Sequence, residues 1–72
     1  MNPVKETALG IKNGVNKVFH TSAAYRPGTV VPFLNGAAVH SEKVSEGPGT
    51  AYTLDVAPLA TDQVAHYFIP VT

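Results

Sequence analysis

The sequence predicts an all-β protein with a small antiparallel β-sandwich or barrel-like fold and hairpin turns. Threonine and valine are frequent among its 72 residues, and no long stretch has the 3.6-residue periodicity of an amphipathic helix. Six glycines and six prolines interrupt the chain. They place turn signals about every ten to fifteen residues, a spacing typical of short strands in small sandwiches and barrels.

The strongest local signal is a β-hairpin around Asn35-Gly36, which lies between two apolar runs. Both residue types tolerate the positive φ that a two-residue type I′ turn requires, and such a turn fixes the strand register. The predicted cross-strand pairs are Leu34 with Ala37, Phe33 with Ala38, Pro32 with Val39, Val31 with His40 and Val30 with Ser41. Because proline cannot donate a ladder hydrogen bond, Pro32 is expected on an edge strand or at a bulge.

The other elements are predicted from the alternation of apolar runs and turn residues. Residues 1–14 are expected to form an N-terminal arm or a short first strand, and residues 15–72 a single β domain. Strands are predicted over residues 16–21, 37–44 (the return arm of the hairpin), 50–56 and 63–71. Turns are predicted at residues 22–28, 46–49 and 57–62. A helix over residues 59–68 is the alternative, which the β-branched and aromatic residues there disfavour.

Strand alternation assigns side chains to faces. The strand over residues 50–56 places Tyr52, Leu54 and Val56 on one face. The last strand places Val64, His66 and Phe68 on one face and Ala65, Tyr67 and Ile69 on the other. Both faces of the hairpin and of the last strand are therefore apolar, which is more than one small core needs. A chain of this length is close to the lower limit of independent stability, so oligomerisation is expected to add stability.

Composition excludes several classes of function. The chain has no cysteine, so disulfides and cysteine-ligated metals are excluded. Charged residues make up only 14% of the sequence and the net charge is zero, which disfavours nucleic-acid and membrane-surface partners. No apolar run approaches the length of a membrane span, and the first six residues lack the apolar segment of a secretory signal.

No constellation of residues predicts catalysis. His20, His40 and His66 lack metal-ligand spacing and are interpreted as half-buried strand residues, rather than as zinc ligands shared between symmetry-related copies. The acidic residues are dispersed, and Asp62 is expected to accept backbone N–H bonds within its turn. We therefore expect a protein that is not an enzyme, with no catalytic residue, no metal ligand and no cofactor.

Five short motifs follow one another along the chain: GVNKVF (14–19), PGTV (27–30), FLNG (33–36), YTL (52–54) and APLATDQV (57–64). In this order they resemble a small β-sandwich module of tailed-bacteriophage virion proteins of the decoration, neck or collar, and tail-fibre type. The resemblance spans about residues 7–68. The chain departs from the module at Asn13, Pro32 and Thr61, where the module has an acid, a β-branched residue and a glycine, and it lacks the module's Asp-Tyr pair before Gly47.

The resemblance implies a non-enzymatic structural protein of the virion, a capsid decoration or neck/collar component made in the host cytoplasm. The implied partners are further copies of the chain and other virion proteins such as capsid, neck or tail proteins. Because the chain begins with Met1 and spans only the module, a stand-alone protein is expected. The alternative is a tail-fibre-type module that binds carbohydrate or a host surface through Tyr25 and Arg26.

Two sets of residues follow from this interpretation. The expected contact residues lie on the second apolar face of the hairpin and last strand; they are Val31, Phe33, Ala65, Tyr67 and Ile69. They are expected to cover a neighbouring copy or another virion protein, or else to complete the chain's own sandwich core. The residues expected to shape turns are Gly14, Asn16, Pro27, Gly28, Asn35, Gly36, Pro58 and Asp62.

Overall fold

The computed structural model describes residues 3–71; residues 1, 2 and 72 lie outside the described part. The strands are β1 (Val4–Thr7), β2 (Val18–His20), β3 (Val31–Leu34), β4 (Ala37–Ala38), β5 (Val44–Glu46), β6 (Ala51–Leu54) and β7 (Val64–Phe68). They form two antiparallel sheets, with strand orders β1-β7-β3-β4 and β2-β6-β5. The predicted all-β fold is confirmed as a small β-sandwich, and the alternative helix over residues 59–68 is wrong.

The core lies between the two sheets and follows from strand alternation. Phe19 of β2 and Tyr52 of β6 come from the three-stranded sheet, and Val64 and Phe68 of β7 come from the four-stranded sheet; all four are buried. The loop residue Tyr25 joins the same cluster. Inward-pointing side chains on β7 alternate with more exposed ones, as the period of two predicts.

The hairpin turn forms as predicted. Asn35 and Gly36 have φ values of 51° and 86°, and Leu34 pairs with Ala37 and Phe33 with Ala38. The longer return arm over residues 37–44 is wrong. β4 ends at Ala38, a single 3-10 turn spans Ser41–Lys43, and β5 then pairs with β6 in the other sheet. The pairs of Val30 with Ser41 and of Val31 with His40 are therefore absent from the ladder, because the chain crosses between sheets there.

Pro32 lies on an internal strand, not on an edge or at a bulge as expected. β3 pairs with β7 in continuous register and with β4 on its other side. The Pro32 carbonyl accepts a hydrogen bond of 2.8 Å from the Val39 N–H, on the β4 side. The N and C=O of one residue point to the same neighbour in an antiparallel ladder. The Pro32 nitrogen, which carries no hydrogen, therefore points to the β4 side, beyond the last β4 residue, Ala38. No hydrogen bond between β3 and β7 is lost.

The predicted strand over residues 50–56 is also too long. β6 ends at Leu54, so Tyr52 and Leu54 are buried as expected, whereas Val56 is exposed. The chain leaves the sheet there and brings the Pro58 carbonyl to within 2.8 Å of the Gly14 N–H. The turn at residues 46–49 joins β5 to β6, in agreement with its prediction.

The solvent-accessible area of the folded chain is that of a compact monomer of its size. This area is 4356 Å². A compact monomer of 7.6 kDa is expected to expose about 4,300 Å². The chain is therefore as compact as a folded monomer of its size, although large apolar side chains such as Ile11, Val15 and Val31 remain exposed.

Candidate interaction surface

The outer face of the four-stranded sheet carries four of the five predicted contact residues. On this face Tyr67 lies between Lys5 and Val31, and in the next row Ala65 lies between Thr7 and Phe33. Register alone brings these side chains together, since residues directly opposite in an antiparallel ladder share a face. We call the six residues the outer face. The fifth predicted contact residue, Ile69, follows the end of β7 and is partly buried.

The outer face is apolar and open. Val31 is 39% exposed and Tyr67 is 40% exposed, whereas the inward residues of the same strands are buried apart from Leu34, which is partly buried. The three-stranded sheet packs against the opposite face, so the expectation that these residues complete the chain's own core is wrong for Val31 and Tyr67. The Lys5 ammonium lies 5.1 Å from the centre of the Phe33 ring. Lys5 therefore covers part of Phe33 by a cation–π contact.

Beneath this surface lies a buried polar network that links both sheets. His66 on β7 and Tyr52 on β6 are fully buried, and Nδ1 of His66 lies 2.8 Å from the Tyr52 hydroxyl. Nε2 of His66 lies 2.7 Å from Oε2 of Glu6, its cross-strand partner on β1. Since a carboxylate only accepts hydrogen bonds, Nε2–H donates to Glu6; in the neutral imidazole Nδ1 then accepts from the tyrosine hydroxyl. Every polar atom of the trio is thereby satisfied.

The network resembles a carboxylate–histidine–hydroxyl relay, but its position gives it a structural role. Its terminal hydroxyl belongs to Tyr52, which packs edge-on against His66 at 5.5 Å between ring centres and is closed off from solvent. Burial raises the pKa of that hydroxyl, and the charge of Glu6 raises it further. A phenol that is inaccessible and held protonated contacts no substrate in this conformation. Its hydrogen bonds instead connect the four-stranded sheet to the three-stranded sheet.

Glu6 extends the network to the loop after β2. Its carboxylate accepts hydrogen bonds from the Ser22 N–H at 2.8 Å and from the Ser22 hydroxyl at 2.7 Å. Partial burial acts to raise the pKa of Glu6, but the hydrogen bonds from Ser22 and His66 outweigh it, so the pKa lies below its usual value. Sequence analysis missed this role. Glu6 and His66 are 60 residues apart in the chain, and only the β1–β7 register brings them together.

Several turn residues of the five motifs meet at one end of the sandwich. Asn35 donates from Nδ2 to Oδ1 of Asp62 at 3.1 Å, and its Oδ1 accepts from the Gln63 N–H at 2.8 Å. Asp62 also accepts from the Leu59 N–H, as predicted. The bonds from Asn35 and Leu59 lower the pKa of Asp62. These side chains are committed to holding turns together, which fits the structural role expected for them.

Other predicted turn residues act separately. Gly14 has a φ of 79°, and the amide of Asn16 donates to the carbonyls of Ile11 and Val18. Pro27 and Gly28 form a turn in which Gly28 has a φ of 84° and donates its N–H to Glu46.

The residues expected to bind carbohydrate have internal roles. Tyr25 is buried, and its hydroxyl accepts from the Gly47 N–H and lies within hydrogen-bond distance of the Gly47 and Ala51 carbonyls. The Arg26 guanidinium reaches the carbonyls of Pro70 and Val71. In this conformation the Tyr25 ring has no exposed face on which a sugar ring could stack.

The three histidines have three different environments. His66 is in the network, His20 is an exposed residue of β2, and His40 lies outside any strand, before the 3-10 turn. The interpretation as strand residues is correct for His20 and His66 and wrong for His40, and none of the three is half-buried. Among residues 3–71, no three His, Asp or Glu side chains are grouped so that they could hold a metal ion. Nor does that part of the chain contain a helix long and apolar enough to cross a membrane.

Comparison with protein-family models, with curated proteins and with solved structures found no significant match to this chain.

Proposed function

We propose that this chain is a non-enzymatic structural protein of a tailed-phage virion, a capsid decoration or neck/collar component that attaches through its outer face. The observation that carries the proposal is the apolar surface on one face of a sheet, where Val31 and Tyr67 are exposed and Phe33 and Ala65 are partly buried. An apolar patch at the surface of a folded chain fits a contact with another protein.

The resemblance supplies the identity of the partner. The order of the five motifs resembles that of a virion module, and the motif residues Asn35 and Asp62 hydrogen-bond to each other across 27 positions of sequence. The proposal therefore rests on two separate supports. The motifs suggest the class of protein, and the outer face suggests the surface by which it acts.

The energetics suit attachment to a large particle. Complete burial of a valine or phenylalanine side chain contributes about 1.5–3 kcal/mol relative to full exposure. Val31 and Tyr67 are less than half exposed, so each contributes only part of that amount. Such a face gives a weak contact for one copy and a strong one for several copies held together, because linked copies bind with avidity.

The alternative of carbohydrate or host-surface binding is not supported by the site it named. Tyr25 is buried and Arg26 is bonded to backbone carbonyls, so neither is free to hold a sugar. The outer face has one cation, Lys5, and no acidic side chain, whereas sugar hydroxyls require several polar partners.

The proposal is tested by incorporation of tagged variants into virions. Phe33→Asp and Val31→Asp place a carboxylate on the outer face and are expected to fold yet fail to enter particles. Val71→Asp is the matched control, since Val71 is similarly exposed but lies beyond β7, outside the outer face. The control is expected to incorporate like the unmodified chain. Full incorporation of both outer-face variants would refute the assigned surface, and absence of the unmodified chain from purified virions would refute the function.

A further inference from the structure

The connection between β1 and β2 displays large apolar side chains on a rigid loop. Val15 is 79% exposed and Ile11 is 68% exposed, well above the 39% and 40% of Val31 and Tyr67 on the outer face. Leu59, also exposed, lies beside this connection, because its Cδ2 is 3.1 Å from the position of a Cβ on Gly14. We call residues 9–17 the apolar loop.

The two asparagine side chains of the apolar loop form hydrogen bonds to the backbone of the loop and of the strand that follows it. Oδ1 of Asn13 accepts from the N–H groups of Val15 and Asn16 at 2.9 and 2.8 Å. Nδ2 of Asn16 donates to the carbonyls of Ile11 and Val18 at 3.0 and 2.8 Å. The loop is thereby held in one shape with its apolar side chains outward. Such preorganisation favours binding, since little conformational entropy remains to be lost.

A groove of about 390 Å³ lies where the β3–β4 hairpin meets the end of β6. Its walls are mostly apolar, and charged groups stand along its rim. The lining residues are Leu34, Ala37, Ala38, Val39, His40, Lys43, Leu54, Asp55 and Val56. We call this the apolar groove. Val56, the residue that sequence analysis wrongly placed in a buried strand, forms part of it and is 46% exposed.

The loop and the groove flank β6 from opposite sides. The Leu54 N–H donates to the Lys17 carbonyl at 2.9 Å, on the side of the apolar loop. The next N–H, of Asp55, donates to the Lys43 carbonyl at 3.2 Å, on the side of the groove. One copy therefore presents a projecting apolar surface on one flank and a concave apolar surface on the other.

The charges of the two flanks are opposite. The apolar loop contains Lys12 and Lys17 and no acidic residue, for a formal charge of +2. The Lys12 ammonium donates a hydrogen bond of 2.7 Å to the Asp62 carbonyl. In the lining of the groove Lys43 and Asp55 cancel in formal charge, and Glu42 in the adjoining 3-10 turn adds a charge of −1. The rim acids are only loosely paired: Glu42 lies 3.8 Å from His40, and Asp55 lies 3.8 Å from Lys43. The one acid near the loop, Asp62, has its carboxylate bonded to Asn35 and Leu59.

We propose that the apolar loop of one copy occupies the apolar groove of the next copy, so that copies join head to tail. The charge complementarity of the flanks identifies a second copy as the occupant. The inference deepens the proposed structural role and leaves the outer face free for a different virion protein. A head-to-tail contact is heterologous, so it closes into a ring when the rotation between copies permits and otherwise extends as a filament.

The test is analytical ultracentrifugation of two complementary variants. Val15→Asp places a carboxylate in the apolar loop, and Val56→Asp places one in the apolar groove, so each is expected to prevent binding by that surface. Because both positions are exposed, circular dichroism is expected to show unchanged folds. The unmodified chain is expected to form oligomers, and each variant alone is expected to sediment as a monomer. An equimolar mixture is expected to form a 1:1 dimer and nothing larger, because only one intact loop and one intact groove can meet.

Each other outcome decides against the inference. A monomeric unmodified chain at high concentration, normal assembly by either variant, or a mixture that stays monomeric would overturn it. High salt is expected to weaken the oligomer by screening the flank charges, and an oligomer insensitive to salt would contradict the charge argument. Val71→Asp serves as control and is expected to assemble normally. Val31→Asp is also expected to self-assemble while failing to enter virions, so the two proposals fail separately.

Discussion

Removal of the Tyr52 hydroxyl is expected to destabilise the protein although the tyrosine ring remains. In Tyr52→Phe, Nδ1 of His66 loses its only hydrogen-bond partner among the described residues, in a fully buried site. Leaving a buried polar atom unsatisfied costs about 1–3 kcal/mol. A domain of 72 residues has a total stability of about 4–11 kcal/mol at the usual 0.05–0.15 kcal/mol per residue. The substitution therefore removes a large share of the free energy of unfolding.

The assay is urea unfolding followed by circular dichroism, together with thermal melting. For a domain of this size, each kcal/mol lost lowers the Tm by roughly 4–8 °C. Tyr67→Phe is the matched control, since it makes the same chemical change on the half-exposed outer face, and it is expected to be neutral within about 0.5 kcal/mol. Equal stabilities of Tyr52→Phe, Tyr67→Phe and the unmodified chain would refute the role of the network.

A double substitution separates the hydrogen bond from simple packing. His66→Leu alone leaves the Tyr52 hydroxyl buried without a partner and removes the ring that binds Glu6. Combining it with Tyr52→Phe removes both partners of the bond, so the combined loss is expected to be smaller than the sum of the single losses. Strictly additive losses would contradict the coupling.

Three further predictions concern the pH dependence of stability and the effect on stability of replacing Gly36 and Gly10. Because the pKa of Glu6 is lower in the folded than in the unfolded chain, its stabilising contribution is present above its ordinary value of 4.5 and is lost as the pH falls through the lowered value. Glu6→Gln is therefore expected to be less stable at neutral pH and to lose less stability on acidification in urea titrations. Gly36→Ala forces alanine to a φ of 86° and is expected to cost about 1–2 kcal/mol in urea unfolding, whereas Gly47→Ala, at a glycine without positive φ, costs less. Gly10→Ala places a Cβ 2.5 Å from the buried Phe19 ring and is expected to lower the Tm more than Gly36→Ala does.

Local signals in the sequence predicted the local structure well. The Asn35-Gly36 turn, the first two pairs of its hairpin and the inward face of β7 follow from turn chemistry and from the strand period of two. They are correct because short-range sterics decide them. The place of Pro32 is wrong because it depends on β7, which pairs with the far side of β3 and lies some thirty residues further along the chain. The length of the return arm is wrong because β5 leaves the hairpin and pairs with β6 in the other sheet.

The sequence predicts the outer face but neither the polar network nor the apolar groove. Alternation along β3 and β7 was enough to place Val31, Phe33, Ala65 and Tyr67 on one face before their pairing was known. The polar network was beyond sequence reasoning, because Glu6 and His66 are opposite each other only through the β1–β7 register. The apolar groove was also missed, since it is formed where β3–β4 approaches β6 from the other sheet.

The most direct test of the structural role is photo-crosslinking from position 31 in assembled virions. A photoreactive residue in place of Val31 lies on the outer face with its side chain partly open to solvent. We expect it to form a covalent product with a capsid, neck or tail protein, identified by mass spectrometry, whereas the same probe in place of Val71 forms none. Virions that contain the chain but give no such product from position 31, or equal products from both positions, would contradict the account.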